Sequence, residues 1–275
     1  MLLRPGTVAE ACRMLDEHRG EALPLAGGTA LEVLRRLGLL GSPPLVDLAG
    51  LAELRGIELV DGQVRLGACT TLREAERDPL VTAHVPLLRE TYGRVANVRV
   101  RGAATVGGNL AYADHRIDPP AALLVLDARV RIRWTAGERE VPLREFFQDL
   151  EVTALQDGEL LTDVLVPVPP AGARGAFVKL VSLAENDWPC AGVAALLTPH
   201  AEGLRLDLGL TALAPTPRHA CVDAGGLSLA SAQDAAEAAA APLLDPIEDF
   251  RGSRAYKQRL GRAAVREAVE AAWPA

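Results

Sequence analysis

The sequence predicts an α+β protein in two domains. The first spans residues 1–168, subdivided into parts of about 1–55 and 56–168. A smaller unit over residues 173–275 carries an antiparallel sheet covered by helices. Three observations support this division. Short apolar runs alternate with helical patterns in the first part. Prolines and a glycine concentrate in Pro167-Val168-Pro169-Pro170-Ala171-Gly172, the composition of a connector. Beyond it, a period-two strand pattern precedes a long amphipathic helix.

The elements follow in chain order. Val8 to Glu17 is amphipathic and reads as a helix. The apolar run Ala22 to Leu25 gives way to a pattern in which Leu31, Leu34 and Leu37 recur every third residue, so strand, turn and helix follow one another. Leu45 to Leu48 is a further short strand, completing a small α/β unit. In the second part, Val64-Arg65-Leu66-Gly67-Ala68 and Val130-Arg131-Ile132-Arg133-Trp134 alternate with period two and read as strands of a larger mixed subdomain. After the connector, Leu204, Leu206, Leu208 and Leu210 alternate with Arg205, Asp207 and Gly209, the pattern of a strand with one wet face. Phe177 to Leu183 and Gly192 to Leu197 are its expected neighbours. From Arg254 onward, Tyr256, Leu260, Ala264, Ala268 and Ala272 recur every fourth residue, and this helix, with the alanine-rich stretch Ser231 to Ala241, is expected to cover one sheet face.

Two glycine-pair segments point most directly at chemistry: Leu25-Ala26-Gly27-Gly28-Thr29-Ala30-Leu31 and Ala104-Thr105-Val106-Gly107-Gly108-Asn109-Leu110. Glycine admits positive φ and close approach of a ligand to the peptide plane, so adjacent glycines can leave N–H donors converging on one anion. The first pair precedes a helix, whose N-terminus adds unpaired N–H groups and partial positive charge. Two such seats suit a diphosphate. A plainer reading stands beside this one: Thr29 followed by Glu32 has capping-box spacing, and strand-to-helix turns use glycine simply to turn. Neither G-x-G-x-x-G after a strand nor G-x-x-x-x-G-K-[ST] occurs, which argues against Rossmann and P-loop architectures.

Composition excludes other classes. The chain has 275 residues, 49% of them hydrophobic, enough for a substantial core. A net charge of -7 without a basic stripe argues against nucleic-acid binding. No apolar run approaches a membrane span and no signal-peptide core follows Met1, so a cytoplasmic location is expected. Cys12, Cys69, Cys190 and Cys221 form no C-x-x-C pair and the histidines are scattered, so neither an iron–sulfur cluster nor another bound metal is expected here. No Ser-His-Asp order or G-x-S-x-G elbow appears.

Further segments occur in a telling order around the glycine loops: Arg4-Pro5-Gly6-Thr7-Val8-Ala9-Glu10-Ala11, Leu45-Val46-Asp47-Leu48, Leu54-Arg55-Gly56-Ile57, Leu66-Gly67-Ala68-Cys69-Thr70-Thr71-Leu72, Asp187-Trp188-Pro189 and Phe250-Arg251-Gly252-Ser253-Arg254-Ala255-Tyr256. With them the chain, over nearly its whole length, resembles the FAD-binding medium subunit of the molybdenum hydroxylases, the group containing carbon monoxide dehydrogenase and xanthine dehydrogenase. The resemblance implies a two-subdomain, non-Rossmann FAD-binding domain of the PCMH type followed by a C-terminal flavoprotein domain. It also implies that Leu25, Ala26, Gly27, Gly28, Thr29, Ala30 and Leu31 on one side, and Ala104, Thr105, Gly107, Gly108 and Asn109 on the other, grip the FAD diphosphate. By the same resemblance Asp118 bonds the flavin nucleotide and Asp114 makes a nearby polar contact. Leu161 and Leu123 to Leu126 are candidates for the apolar wall facing the ring.

Asp118 has a second reading, since an Asp before Pro119-Pro120 is a good helix N-cap. Asp114-His115-Arg116-Ile117-Asp118 departs from the family pattern, where small residues and proline are usual. Arg116 could pair with phosphate or with Asp114, and His115 could titrate near neutrality. Cys190 stands where some relatives carry a lysine. The resemblance implies an oxidoreductase subunit that takes electrons from [2Fe-2S] clusters on a small subunit, within a complex whose large subunit holds the molybdenum cofactor. The alternative is a stand-alone FAD-dependent oxidoreductase with His115 and Tyr112 as acid–base candidates. A third, non-catalytic class would make both glycine loops mere turns.

Overall fold

The computed structural model describes residues 1–201 and 203–274. Its N-terminal layer is a three-stranded parallel sheet, ordered β1-β3-β2, from β1 (Leu2–Leu3), β2 (Leu23–Leu25) and β3 (Leu45–Asp47). The connections are α1 (Val8–Glu17) and α2 (Thr29–Arg36). Thr7 caps α1 by accepting from Glu10 N, and Glu10 reaches back to Gly6 N at 2.7 Å. Val8, Ala11, Cys12 and Leu15 form the buried stripe that the sequence pattern predicts, packed with Val46, Leu48 and Leu54. By contrast, α2 has no fully buried residue.

The next unit begins with β4 (Ile57–Val60) and β5 (Gln63–Gly67), followed by α3 (Leu72–Arg77), α4 (Pro79–His84), α5 (Pro86–Gly93), α6 (Val98–Arg101), α7 (Val106–Tyr112) and α8 (Pro119–Val125). It continues through β6 (Arg129–Trp134), β7 (Gly137–Pro142), α9 (Leu143–Phe146), the small hairpin β8 (Phe147–Asp149) and β9 (Val152–Thr153), and β10 (Leu160–Pro167). Five strands pair in the order β4-β5-β10-β6-β7, every pairing antiparallel. Val64, Leu66, Val130 and Ile132 point into the core while the intervening arginines do not, as period two requires.

A four-stranded antiparallel meander closes the chain, made of β11 (Arg174–Leu180), β12 (Ala191–His200), β13 (Gly203–Thr211) and β14 (Arg218–Asp223). On one face lie α10 (Leu229–Ala240) and α11 (Arg254–Ala272). The buried stripe of α11 includes the expected Ala264, Ala268 and Ala272 but begins at Lys257 and Gly261, with Tyr256 and Leu260 at its margin.

The wet face expected for β13 is not wet. Helix α8 lies across it, and Pro119 to Val125 are all buried because the helix is held between this sheet and the core of the preceding unit. A helix surrounded by protein is apolar all round, which is why Pro-Pro-Ala-Ala-Leu-Leu-Val has no polar side. Gly209 permits the approach, since a Cβ there would overlap the Ala121 carbonyl. Asp207, on the same face, is buried against Arg205 at 2.8 Å and His219 at 2.8 Å. This covering also places Leu123 to Leu126 in the core, so they form no wall of a ligand cleft.

Candidate functional site

The two glycine pairs come together, but they do different work. At the first, Gly28 has φ +69° and occupies the N-cap position of α2 with no side-chain cap. The intrahelical ladder opens with Glu32 N donating to Gly28 O at 2.9 Å. The N–H groups of Gly28, Thr29, Ala30 and Leu31 therefore remain the unpaired donors of a helix start. The capping box expected from Thr29 and Glu32 does not form: Thr29 is already helical, and the Glu32 carboxylate turns outward to Arg35 and Arg36, each at 2.7 Å.

The second pair lies inside the first turn of α7. Thr105 caps that helix by accepting from Gly108 N at 3.1 Å. Val106 N donates to Thr70 O, Gly107 N to Ala68 O and Asn109 N to Thr105 O, all within 2.9 Å. These donors are spent within the protein, contrary to the expectation of a second cradle of free N–H groups. The glycines serve close packing instead: a Cβ on Gly107 would lie 2.5 Å from Ala68 Cβ, and one on Gly108 would lie 2.7 Å from Thr105 Oγ1. What this segment offers a ligand is a bare backbone surface and Asn109, whose Oδ1 is buried without a partner.

Gly27 joins the two segments, packed so closely on Ala103 that a Cβ would overlap its carbonyl oxygen. Between them run two adjoining cavities of about 270 and 290 Å³, sharing Thr29, Ala30, Gly108 and Tyr112. Ligand pockets typically span ~300–1,000 Å³, so the pair forms an elongated cleft suited to a dinucleotide. The first cavity has Ala26 to Leu31 on one side, with Thr105, Gly107 and Leu161 opposite. The second has Ala104, Asn109 and Asp118, with Lys179, Asp187 and Trp188 reached from the C-terminal unit. Leu25 and Asp114 line neither.

Asp118 is not the helix cap that its position before Pro119 suggests, for its side chain makes no capping bond. Its Oδ2 accepts from Lys179 Nζ at 2.8 Å, while Oδ1 is buried without a partner in the wall of the second cavity. Burial pushes its carboxyl up to about 6, against the opposing pull of Lys179. Lys179, itself buried, also donates to Arg94 O at 3.0 Å. Asp114 is committed elsewhere: Arg116 donates to it from Nε at 2.9 Å and Nη2 at 2.6 Å. Burial alone would raise the Asp114 carboxyl, yet these bonds hold it below the ordinary carboxylate range.

His115 is buried with neither ring nitrogen hydrogen-bonded, Nδ1 lying 3.8 Å from Asp114 Oδ1, and burial lowers its pKa against the pull of Asp114. It does not reach the cleft lining, whereas Tyr112 lines both cavities. Cys190 is buried and donates weakly to Arg251 O at 3.8 Å, outside the lining. Cys69 does line the first cavity, but burial pushes its thiol up to about 11, which makes it an inert wall group. Lys179, Trp188 and Glu159 escaped the sequence reading as site residues. For Lys179 a signal existed: one cation inside the apolar run Ala176-Phe177-Val178-Lys179-Leu180 must find a partner if the strand is buried.

Residues 1–169 match the family described as the FAD binding domain in molybdopterin dehydrogenase. The chain belongs to this family. Among curated proteins it is 34% identical to the carbon monoxide dehydrogenase medium chain of Afipia carboxidovorans, over 98% of this chain and 95% of the relative. It is 30% identical to the 6-hydroxypseudooxynicotine dehydrogenase complex subunit alpha of Paenarthrobacter nicotinovorans, over 94% and 89%. Among solved structures, a chain of the reconstituted CO dehydrogenase from Oligotropha carboxidovorans superposes with a TM-score of 0.93 at 34% identity, covering 98% of this chain and 96% of that one.

As a member of this family the protein is an FAD-dependent oxidoreductase flavoprotein. The cleft fits that cofactor on its own terms. Four helix-start donors suit a diphosphate, glycines at 107 and 108 keep the opposite wall free of side chains, and the orphaned oxygens of Asn109 and Asp118 are acceptors awaiting donors. Among the described residues no cluster of His, Cys, Asp and Glu could hold a metal ion, and no helix is long and apolar enough to cross a membrane.

Proposed function

We propose that this chain is the flavin-carrying subunit of a molybdenum hydroxylase assembly. In that assembly it would receive electrons from iron–sulfur clusters on a small subunit, beside a large subunit holding the molybdenum cofactor, and pass them to an external acceptor. The observation that carries the reading is the single cleft in which the unpaired N–H groups of α2 face the Gly107–Gly108 surface, with the buried Asp118–Lys179 pair beyond. Relatives named as a medium chain and as a complex subunit, matched over nearly their full length, support a role as one part of an assembly.

Bound FAD supplies reversible exchange of one or two electrons, chemistry that no side chain here provides. The chain's own residues do the rest. The backbone N–H groups of Gly28 to Leu31 would hold the diphosphate, and Asn109 would offer its unpartnered Oδ1 to the nucleotide. Asp118, with its Oδ1 unpartnered beside Lys179, would accept from polar groups of the cofactor, while Leu161 and Trp188 would help exclude water. Residues 1–168 act as the cofactor-binding domain and residues 173–275 complete its wall through Lys179 and Trp188. The stand-alone alternative has lost one of its acid–base candidates, since His115 does not line the cleft.

The test is reduction in stages. The purified chain is expected to be yellow, to release FAD on denaturation, to turn over no substrate alone, and to be reduced anaerobically when mixed with the reduced iron–sulfur small subunit of its assembly. Turnover of a small molecule by the isolated chain overturns this assignment in favour of the stand-alone enzyme.

A further inference from the structure

Residues 181–188, between β11 and β12, form no strand or helix, yet Asn186, Asp187 and Trp188 supply part of the cleft wall. Few local bonds hold the segment: Asp187 N donates to Ala184 O at 2.9 Å and Trp188 N to Asp187 Oδ1 at 2.8 Å. Among the described residues, two arginines from different parts of the chain hold its side chains. Arg251 donates to Asp187 from Nε at 3.1 Å and Nη2 at 2.8 Å, a two-point fork that fixes both distance and plane. The Arg116 guanidinium lies over the Trp188 ring, 4.9 Å from its centroid.

Both arginines are themselves held. Arg116 is locked by its fork on buried Asp114. The backbone N–H of Arg251 donates to Asp249 Oδ1 at 2.9 Å, and the same oxygen accepts from the buried Lys257 Nζ at 2.7 Å. Lys257 also donates to Ile247 O at 2.8 Å, so the turn carrying Arg251 is tied to α11. Arg251 is nearly buried, its side chain 8% exposed, which removes the solvent competition that weakens surface pairs. Pro189 adds a constraint by restricting the backbone of Trp188.

From this arrangement we infer that Arg116 and Arg251 form a clasp holding Asp187 and Trp188 in the cleft wall, and are positioning residues for the bound flavin. The inference rests on FAD occupying the cleft. It gives a purpose to the Asp114-His115-Arg116 departure from the family pattern and to the closing Phe250-Arg251-Gly252-Ser253 segment. Neither arginine lines the cavities, so each acts through the residue it holds.

The experiment uses the full chain with Trp134→Phe and Trp273→Phe, so that Trp188 is the sole tryptophan emitter. Arg116→Met, Arg251→Met and the milder Arg251→Lys and Asp187→Asn are compared with this parent. In the FAD-free protein, Arg251→Met and Asp187→Asn are expected to speed amide exchange in residues 184–190 about tenfold, with α10 and β13 unchanged. Arg116→Met is expected to raise acrylamide quenching of Trp188. In the FAD-loaded protein each change is expected to weaken FAD about tenfold and to shift the flavin potential, with Arg251→Lys intermediate because charge is kept and the fork is lost. Unchanged exchange and quenching in all four variants overturn the clasp. A parent that binds no FAD overturns the cleft assignment instead, and the FAD-free measurements tell the two failures apart.

Discussion

Gly27 lies so close to the main chain of Ala103 that a Cβ at position 27 would overlap the Ala103 carbonyl oxygen. This contact brings the strand-to-helix turn of the parallel sheet onto the segment leading into α7, and the cleft exists because of it. Gly27→Ala is expected to destabilise the protein by about 1–3 kcal/mol through overpacking and to release FAD. Gly50→Ala, where a Cβ meets nothing within 4 Å, is the control and should fall within about 0.5 kcal/mol of wild type. Denaturant unfolding and flavin absorbance of the retained fraction measure both. Full FAD retention in Gly27→Ala would show that the two segments need not touch.

The matched threonines of the two glycine segments should behave oppositely. Thr105 caps α7, so Thr105→Ala is expected to cost about 1 kcal/mol of stability. Thr29 caps nothing and lines both cavities, so Thr29→Ala should change stability by less than about 0.5 kcal/mol while weakening FAD. Melting temperatures and FAD titrations separate the two effects. Equal losses of stability would return Thr29 to a capping role.

Asp118 sets a pH dependence whose sign follows from its surroundings. Its carboxyl titrates at about 6 in the fold against 3.8 for the unperturbed group, because burial penalises the charge. A raised folded pKa means that the folded state binds the proton more tightly. The stability it contributes is complete below about pH 4 and is lost as pH rises through about 6. The unfolding free energy of wild type minus that of Asp118→Asn should therefore fall across this window, by at most about 1.4 kcal/mol per pH unit. Lys179→Met removes the one cation that, among the described residues, bonds this carboxylate and should cost about 3–5 kcal/mol at neutral pH. Guanidinium unfolding at several pH values checks all three proteins, and a difference that stays flat across the window contradicts the assignment.

Gly209 controls how β13 meets α8. A Cβ there would overlap the Ala121 main chain, so Gly209→Ala should cost about 1–3 kcal/mol and loosen the seam between α8 and the C-terminal sheet. Hydrogen exchange is the direct measurement: amides of α8 should exchange faster, while those of α1, remote from the seam, should not. Uniform protection would mean that the sheet and α8 separate without cost.

The sequence by itself determined the local grammar. The stripe of α1, the alternation in β5, β6 and β13 and the long C-terminal helix are set by spacings of 3.6 and 2 residues, which depend on nothing distant. Glycine pairs beside helix starts likewise marked both walls of the cleft, because the absence of a Cβ is visible in sequence. What the tertiary structure decided was where each polar group spends its bonds. Thr29 and Asp118 have the sequence context of caps and do not cap; Gly107 and Gly108 look like donors and are packing surfaces; Asp207 sits on a strand face that reads as wet and is covered. Each of these outcomes depends on a partner far away in the chain: Lys179 for Asp118, Ala68 and Thr70 for the second glycine segment, α8 for β13. A buried donor or acceptor bonds whichever group the fold brings within 3 Å, and sequence spacing carries no information about that meeting.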